Sequence, residues 1–419
     1  MKNKSIIISF FWMVSLSGIA QTSVQIPTET LQDYLKIAAD NNPQLKATFN
    51  NYMAAMEKVP QVGTLPDPQF AFAYFVQPVE TRVGAQRLKL GLQQMFPWFG
   101  SLQAKENVAM EKAQVKYELF ENSKSNLFFE VKTTYYNYYF VIKAIQITKD
   151  NMEILQIFKN LSLVKIESGN ASIVDELRVE LELNDLENQL ALFVDTKNTL
   201  RVSFNNLLNR NKNTMIAVSD TLQIDKLPYD KVSMLDSIYA SNHTIKSIDH
   251  KLNAFLNQEI VAKKQGSPSF NIGVNYIVVD EIPGSTIKNN GKDAFLFPSV
   301  GLTIPIYRKK YKASIKEAQY LQEAAKENKI STKNKLSSIF EKTYKDYKDG
   351  ERRIALNKKQ SEIAKKVLDV LIVSYSTNSN DFEEVLRIER QLLGYKLAHQ
   401  KALIDNNAAV AFMHYLLGN

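Results

Sequence analysis

The placement of proline constrains the fold of this chain more than any other feature of its 419-residue sequence. No proline occurs between Pro97 and Pro228 or after Pro305, and glycine is scarce in the same segments. The residues that interrupt helices concentrate in two windows, at about 60–100 and 266–305. Because proline and glycine mark turns and helix ends, the windows predict strands and loops. The segments between and after them predict unusually long helices.

The uninterrupted segments are long enough for helices of about 65 residues, which is about 100 Å at 1.5 Å per residue. One runs from Ser101 to about Ser168 and another from Tyr311 to about Ser374. Between them, apolar residues follow a three-and-four spacing that is broken only at Lys197: Leu183, Leu186, Leu190, Phe193, Leu200, Phe204 and Leu207. Such a seam pairs helices in coiled coils. We therefore expect long helices packed side by side rather than a globular core.

The two halves of the chain repeat one another. An offset of 200 residues aligns Asn42 with Asn242, and an offset of 209 aligns Arg178 with Arg387. Further matches fall in the same order over most of the chain. Each half is therefore expected to form the same elements in the same order, namely a helix, two strands, a long helix, a turn and a further helix.

The first 20 residues are typical of a signal peptide. Lys2 and Lys4 give a basic start, residues 6–19 are apolar, and Gly18-Ile19-Ala20 is a small-residue cleavage site. The alternative, an N-terminal membrane anchor, needs a longer apolar span. We expect export with cleavage.

Composition excludes several classes of site. The chain has no cysteine, so disulfides, thiolate metal sites and a lipidated N-terminal cysteine are excluded. The chain has 52 basic and 44 acidic residues, and without Lys2 and Lys4 these become 50 and 44, a net charge of +6. This charge is distributed along the chain and not concentrated in runs, so it argues little for binding of nucleic acid. No later apolar run reaches about 18 residues, so we expect no transmembrane helix. An exported soluble protein and a membrane β-barrel, whose strands leave a weak hydropathy signal, both remain open.

Both windows contain segments with one apolar and one polar face. Strands are expected over Leu65 to Gly100 and Ser267 to Tyr307, with polar loops at 78–86 and 280–295. The apolar positions are Phe70, Phe72, Tyr74 and Val76; Leu88, Leu90 and Leu92; Phe270, Ile272, Val274, Tyr276 and Val278; and Val300, Leu302 and Ile304. Runs of 9–11 such residues fit tilted transmembrane strands. A soluble sheet packed on helices would give the same alternation.

Aromatic and basic residues at the strand ends favour the membrane interpretation. The candidate interface girdle is Phe96, Trp98, Phe99, Phe295, Phe297 and Tyr307. Basic residues follow the fourth strand at 308–312, where long side chains reach lipid headgroups, although a solvated helix start explains them equally. Four spanning strands cannot close, and lipid leaves open sheet edges unsatisfied. We therefore expect a homotrimer with a twelve-stranded barrel.

Several short motifs occur in one order along the chain: Leu65-Pro66-Asp67-Pro68, Phe96-Pro97-Trp98-Phe99-Gly100, Val300-Gly301-Leu302 with Ile304-Pro305-Ile306, and the helix-turn segments Gly169 to Leu177 and Tyr375 to Leu386. With these motifs, the chain resembles the TolC-type outer-membrane efflux proteins. The resemblance implies a mainly α fold with membrane β-strands, built from duplicated helix-strand-strand-helix-helix halves. It implies that these halves form a trimeric 12-stranded β-barrel joined to a long periplasmic α-helical barrel. It also implies the exit duct of a tripartite pump, with a periplasmic adaptor (membrane fusion) protein and an inner-membrane transporter as partners. The Phe-Pro-Trp-Phe-Gly pattern is similar to the branch that serves heavy-metal pumps, but drugs or peptides would need the same scaffold.

The expected division of the chain follows from this resemblance and the two windows. It is 1–20, signal peptide; 21–64, helices of the first repeat; 65–100, first hairpin; 101–228, long helices of the first repeat; 229–266, helices of the second repeat; 267–307, second hairpin; and 308–419, long helices of the second repeat.

In the family, a Tyr, an Arg and an acid near the second helix turn hold the periplasmic end shut. The candidate tip residues here are Tyr375, Asn378, Asn380, Glu384 and Arg387 at that turn, with Gly169 and Asp175 at the first. Tyr375 matches the Tyr, Asn380 stands at the Arg position and Asn378 at a Gly position. Glu384 keeps one acid, whereas Arg387 reverses the charge of another. Three copies of Glu384 around an axis would attract cations, although acids near 381–384 also simply favour a helix N-terminus.

Nothing in the sequence points to catalysis. The four histidines, at 243, 250, 399 and 414, lack metal-ligand spacing, and no phosphate loop or nucleophile elbow is present. Met53 and Met56, and the aromatic run at 135–140, are interpreted as helix packing. We expect no enzyme activity, cofactor, metal site or nucleic-acid partner. Two other classes remain open: a soluble periplasmic coiled-coil adaptor and a secreted structural filament.

Overall fold

A computed structural model describes residues 29–377 and 382–419, so the expected signal peptide lies outside the described residues. The chain is mainly helical with one antiparallel sheet. Its elements are α1 (Leu31–Asn41), α2 (Pro43–Met56), α3 (Lys58–Gly63), β1 (Gln69–Thr81), β2 (Gly84–Phe96), α4 (Ser101–Glu167), α5 (Ile173–Leu207), α6 (Lys231–Ser241), α7 (His243–Gln265), β3 (Ser269–Val279), β4 (Ala294–Thr303), α8 (Arg308–Ser376) and α9 (Phe382–Leu417). The two long helices predicted from the lack of proline are confirmed as α4 and α8, of 67 and 69 residues.

The predicted duplication is visible in how corresponding helices end. Asn42 caps α2 by accepting a hydrogen bond from Leu45 N at 3.0 Å, and its amide donates to the carbonyl of Leu207 at 3.0 Å. Asn242 caps α7 in the same way, and its amide donates to the carbonyl of Leu416 at 2.9 Å. The two caps differ by 200 residues and the two acceptors by 209. Each asparagine therefore ties the start of one helix to the end of another. As a result, α2 lies end to end with α5, and α7 lies end to end with α9.

The strands form one four-stranded antiparallel sheet in the order β1-β2-β3-β4. The expected polar loop at 78–86 is wrong, because β1 runs to Thr81 and β2 begins at Gly84 after a two-residue turn. Pro78 suggested a loop but lies inside β1, next to a register shift. Edge strands and irregular positions tolerate proline because no ladder hydrogen bond is lost there. The second loop agrees with expectation, since β3 ends at Val279 and β4 begins at Ala294.

The register places the alternating apolar residues on one face. Directly paired residues of neighbouring strands point to the same side of a sheet. One row across all four strands is Phe72, Leu90, Tyr276 and Phe295, and a row across β2, β3 and β4 is Phe96, Phe270 and Leu302. A row of the opposite face is Gln69, Gln93, Gly273 and Ser299. The sheet therefore has the one apolar and one more polar face that the sequence predicts.

The helices form a single layer beside the sheet. Helices α2, α3 and α5 pack on one side of α4, helices α7 and α9 pack on its other side, and α8 packs against α7 and α9. The aromatic run of α4 lies in the largest buried cluster, with Tyr34 and Phe204. Its hydroxyls hold the irregular segment after α5: Tyr136 donates to Asp225 at 3.0 Å, and Tyr139 accepts from Leu222 N at 3.3 Å. The packing interpretation of this run is confirmed.

Among the described residues, no helix is both long enough and apolar enough to cross a membrane. No group of three or more histidines and carboxylates within the described ranges is placed to hold a metal ion.

The capping arrangement predicts a measurable stability effect. Asn242→Ala removes a helix cap and leaves the buried Leu416 carbonyl without its donor, so we expect a loss of about 2 kcal/mol in the free energy of unfolding. Denaturant unfolding measures this. Asn257→Ala in the same helix is the matched control, because Asn257 donates only to its own helix, at Asn253; its effect should stay within about 0.5 kcal/mol. Equal effects of the two variants would contradict the role given to Asn242.

Candidate functional site

The end of the helical layer farthest from the sheet brings together the two turns singled out in the sequence. Helix α4 ends in a turn of the Schellman type, with Gly169 N donating to Ile166 O at 3.0 Å and Asn170 N donating to Lys165 O at 2.8 Å. Gly169 has a φ of 74°, in the left-handed region that glycine adopts without strain. Ser172 then caps α5 by accepting from Val174 N at 3.2 Å. Gly169 therefore shapes the turn, and its lack of a side chain is the reason it stands there.

Tyr375 lies at the end of α8, directly before the second turn, and is packed against both halves. Its ring centroid is 4.9 Å from that of Phe382, and Phe382 makes an edge contact with Phe158 of α4 at 6.4 Å. The ammonium of Lys165 lies 4.0 Å from the centroid of the Tyr375 ring and donates to the Tyr375 carbonyl. A cation over an aromatic face is attracted by the ring quadrupole, more strongly where water is excluded. The end of α8 is thus held to the end of α4.

The Tyr375 hydroxyl is buried and has no hydrogen-bond partner among the described residues. Burial, followed by the nearby charge of Asp175, raises the pKa of Tyr375 above its ordinary value. The hydroxyl is therefore neutral over the physiological range. Asn378 and Asn380 lie outside the described residues.

Charged residues join α5 to α9 at the same end. Arg178 forms an ion pair with Glu383 at 3.0 Å and lies 3.7 Å from Asp175. Arg387 binds Glu384 with two nitrogens, one of them at 2.7 Å, and this pairing lowers the pKa of Glu384. Within this chain, Glu384 is therefore the ion-pair partner of Arg387 and not the free carboxylate that a cation-attracting ring requires.

A buried carboxyl lies one and a half turns further along α9. Glu389 is 1% exposed and accepts a hydrogen bond from the amide of Asn151 in α4. The other oxygen of Glu389 and the amide oxygen of Asn151 have no partner among the described residues. Burial raises the pKa of Glu389 to about 7, and the charge of Glu182 contributes in the same direction. A protonated Glu389 would donate to the Asn151 oxygen and satisfy both atoms at once.

Four residues of this region were not predicted from the sequence to be site residues: Lys165, Arg178, Phe382 and Glu389. Only Glu389 left a signal, because it occupies a position of the apolar seam of α9 between Val385 and Leu392. A charged residue at such a position is a candidate for a buried polar pair.

The outer strands of the sheet are the second region of interest. Large apolar side chains of β1 and β4 are exposed, including Phe70 at 69% and Val300 at 67%. The candidate girdle residues divide between the two ends of the sheet. Trp98 and Phe99 lie 5.8 Å apart at the helical end, next to Phe270, whereas Phe295 pairs with Tyr276 towards the loops. Phe297 and Tyr307 are exposed, and Phe96 is half-buried.

Comparison with known proteins gives a fold. No protein-family profile and no curated protein matches the sequence. Among solved structures, a membrane protein from Pseudomonas aeruginosa has 15% identity and a TM-score of 0.76, over 92% of this chain and 93% of its own. The outer membrane protein VceC from Vibrio cholerae has 13% identity and a TM-score of 0.74, over 92% and 95%. The CmeC outer membrane channel of Campylobacter jejuni has 15% identity and a TM-score of 0.73, over 100% and 94%. The chain has the fold of the TolC-type outer-membrane channels.

Glu389 predicts a pH dependence of stability. The native carboxyl keeps its proton up to about pH 7, whereas the unfolded one loses it near its ordinary value of 4.5. The stabilisation of the native state by this proton is therefore complete below pH 4.5. It is lost as the pH rises to about 7, and this loss lowers the free energy of unfolding by roughly 3 kcal/mol. Glu389→Gln keeps both hydrogen bonds without a titrating group. We expect it to raise the thermal midpoint at pH 8 much more than at pH 5.

Glu384→Gln is the control, since Glu384 lies on the surface and is paired with Arg387. It should not reproduce the larger stabilisation at pH 8. If Glu389→Gln shifts the midpoint equally at both pH values, the buried carboxyl does not titrate as described.

Proposed function

We propose that this protein is an outer-membrane channel, the passive exit duct of a tripartite efflux system, and that it acts as a homotrimer. The observation that carries the proposal is the combination of this fold with a sheet whose outer strands expose large apolar side chains. It would span the outer membrane and extend into the periplasm through its helices. No part of the proposal requires a cofactor, a metal site or catalysis.

The edges of the sheet support the proposed trimer. In the protomer, β1 and β4 each pair with one neighbour only. In lipid, unpaired backbone groups are too costly, so strands span a membrane only as closed barrels. Pairing β4 of one chain with β1 of the next closes three copies into twelve strands, an even number within the known range. The apolar face defined by Leu90 and its row then faces lipid, and residues 65–100 and 267–307 supply one third of the barrel.

The same symmetry places the helical layers side by side as a tube. Residues 21–64 and 101–228 would form the first half of each layer, and residues 229–266 and 308–419 the second. We propose that the tube docks a periplasmic adaptor protein, which connects it to an inner-membrane transporter. The cargo would be metal ions, drugs or other small molecules.

We propose that the turns at the far end of the tube form its gate. The Tyr375 ring, Lys165 and Phe382 hold the α8–α9 turn against α4, and Arg178 with Glu383 ties α5 to α9. Loosening either set would let the paired helices separate. We assign Gly169 and Asp175 to the same gate, and we keep Asn378 and Asn380, which lie outside the described residues, as candidate members.

Membrane fractionation followed by native mass spectrometry tests the function. We expect the protein in the outer-membrane fraction and a discrete trimer in detergent. Recovery in the soluble fraction would instead favour a periplasmic coiled-coil adaptor. An open-ended series of oligomers would favour a structural filament.

The lipid-facing assignment predicts the effect of a buried charge. Leu90→Arg places a guanidinium on the apolar face and should cost roughly 2–4 kcal/mol if the residue lies near the bilayer midplane. Val274, in the neighbouring row, should respond similarly. Gln93→Arg is the control, because Gln93 lies in the row of the opposite face. Trimer stability in lipid measures the difference, and equal effects at Leu90 and Gln93 would refute the assignment.

The gate predicts a change in conductance. Tyr375→Ala removes the surface that Lys165 and Phe382 contact, and we expect a higher single-channel conductance in planar bilayers, increased further by adding Glu384→Gln. Tyr320→Ala, at an exposed tyrosine of α8, is the control and should leave conductance unchanged. Identical conductance of the Tyr375 variants and the native protein would place the constriction elsewhere.

A further inference from the structure

A groove of about 630 Å³ lies between α2, α3, α4 and α7, directly beside the sheet. We call it the lysine groove, because Lys58, Lys105, Lys112 and Lys116 line it. Its helices all belong to one chain, so it is complete within a protomer. Its volume is within the range of small-molecule sites.

The charge of the lysine groove is uncompensated. Its lining contains four lysines and no acidic residue. Lys58 donates to Gln61 at 3.0 Å, whereas Lys105, Lys112 and Lys116 make no hydrogen bond or ion pair to a described residue. Lys105, Lys112 and Lys116 lie on one face of α4, at spacings of seven and four residues. Their ammonium groups therefore follow one side of the groove. Like charges gathered without partners attract an anion.

The floor of the lysine groove is apolar. Val108, Ala109 and Val261 form it and are themselves buried, and Val108 packs with Val261 in one cluster. Ala54 and Val62 add small or apolar side chains to the wall. A purely ionic ligand would gain no binding free energy from such a surface. An alkyl chain would cover it, and each Å² of apolar surface removed from water would contribute about 25 cal/mol.

We propose that the lysine groove binds a soluble amphipathic anion, a single acidic head group on an alkyl chain. The head group pairs with the lysines of α4, and the chain lies on Val108, Ala109 and Val261. Long lysine side chains suit this arrangement, since their stems cover apolar surface while the ammonium stays at the rim. The site does not depend on the channel function, because one chain supplies all of it.

Laurate is the probe, and binding is measured by calorimetry on the full chain in phosphatidylcholine nanodiscs, or in buffer if the protein proves soluble. We expect saturable binding in the micromolar range. Dodecyltrimethylammonium, with the same chain and the opposite charge, should not bind, and neither should butyrate, which has the head group without the chain. Equal binding of laurate to nanodiscs without protein would assign the signal to lipid and overturn the proposal.

Two variants test the two halves of the site. Replacing Lys105, Lys112 and Lys116 by Gln should weaken laurate binding at least tenfold, about 1.4 kcal/mol. Replacing Lys309, Lys312 and Lys316 of α8, which are exposed and outside the groove, removes the same charge and should change affinity little. Ala54→Trp fills the groove without changing its charge and should also abolish binding. Native affinity in either groove variant, or an equal loss in the control, overturns the proposal.

Discussion

The unpaired edges of a four-stranded sheet are the constraint on which the rest of this structure depends. Strands β1 and β4 are long and carry exposed apolar side chains. In water such edges invite association with other chains; in lipid they leave backbone groups without partners. Closing the sheet between copies resolves both problems. The sheet is consistent with this solution, because the residues of its apolar face are in register across all four strands.

The helical layer begins where the two strand pairs end. Helices α4 and α8 follow the two strand pairs and run the length of the layer. The remaining helices are shorter and are joined end to end through the caps at Asn42 and Asn242. The duplication thus gives two long helices and two composite ones, packed around buried aromatic clusters. At the far end, the turns are held by an apolar cluster that contains Tyr375 and Phe382, together with the cation–π contact of Lys165 and the ion pair of Arg178 with Glu383.

Much of this fold could be predicted from the sequence because its signals are local. Missing prolines revealed α4 and α8, alternation revealed the faces of the strands, and repeated residues such as Asn42 and Asn242 revealed the duplication. Pro78 misled, because a proline at a register shift of a strand looks the same in sequence as one in a loop. The contacts of Lys165 and Glu389 could not be predicted, since they depend on which helices meet. The assignment of Asn378 and Asn380 to a gate remains a prediction.

The central claim is that β1 of one chain pairs with β4 of another, and cysteine cross-linking tests it directly because the native chain has no cysteine. Ala71 or Ala73 in β1 would be replaced by Cys together with Ser299 or Gly301 in β4, giving four double variants. After oxidation in membranes, the account predicts a covalent trimer for at least one pair and for none of the single variants. If all four pairs form only monomers, while the protein is present in the membrane, the sheet does not close between chains and the account is contradicted.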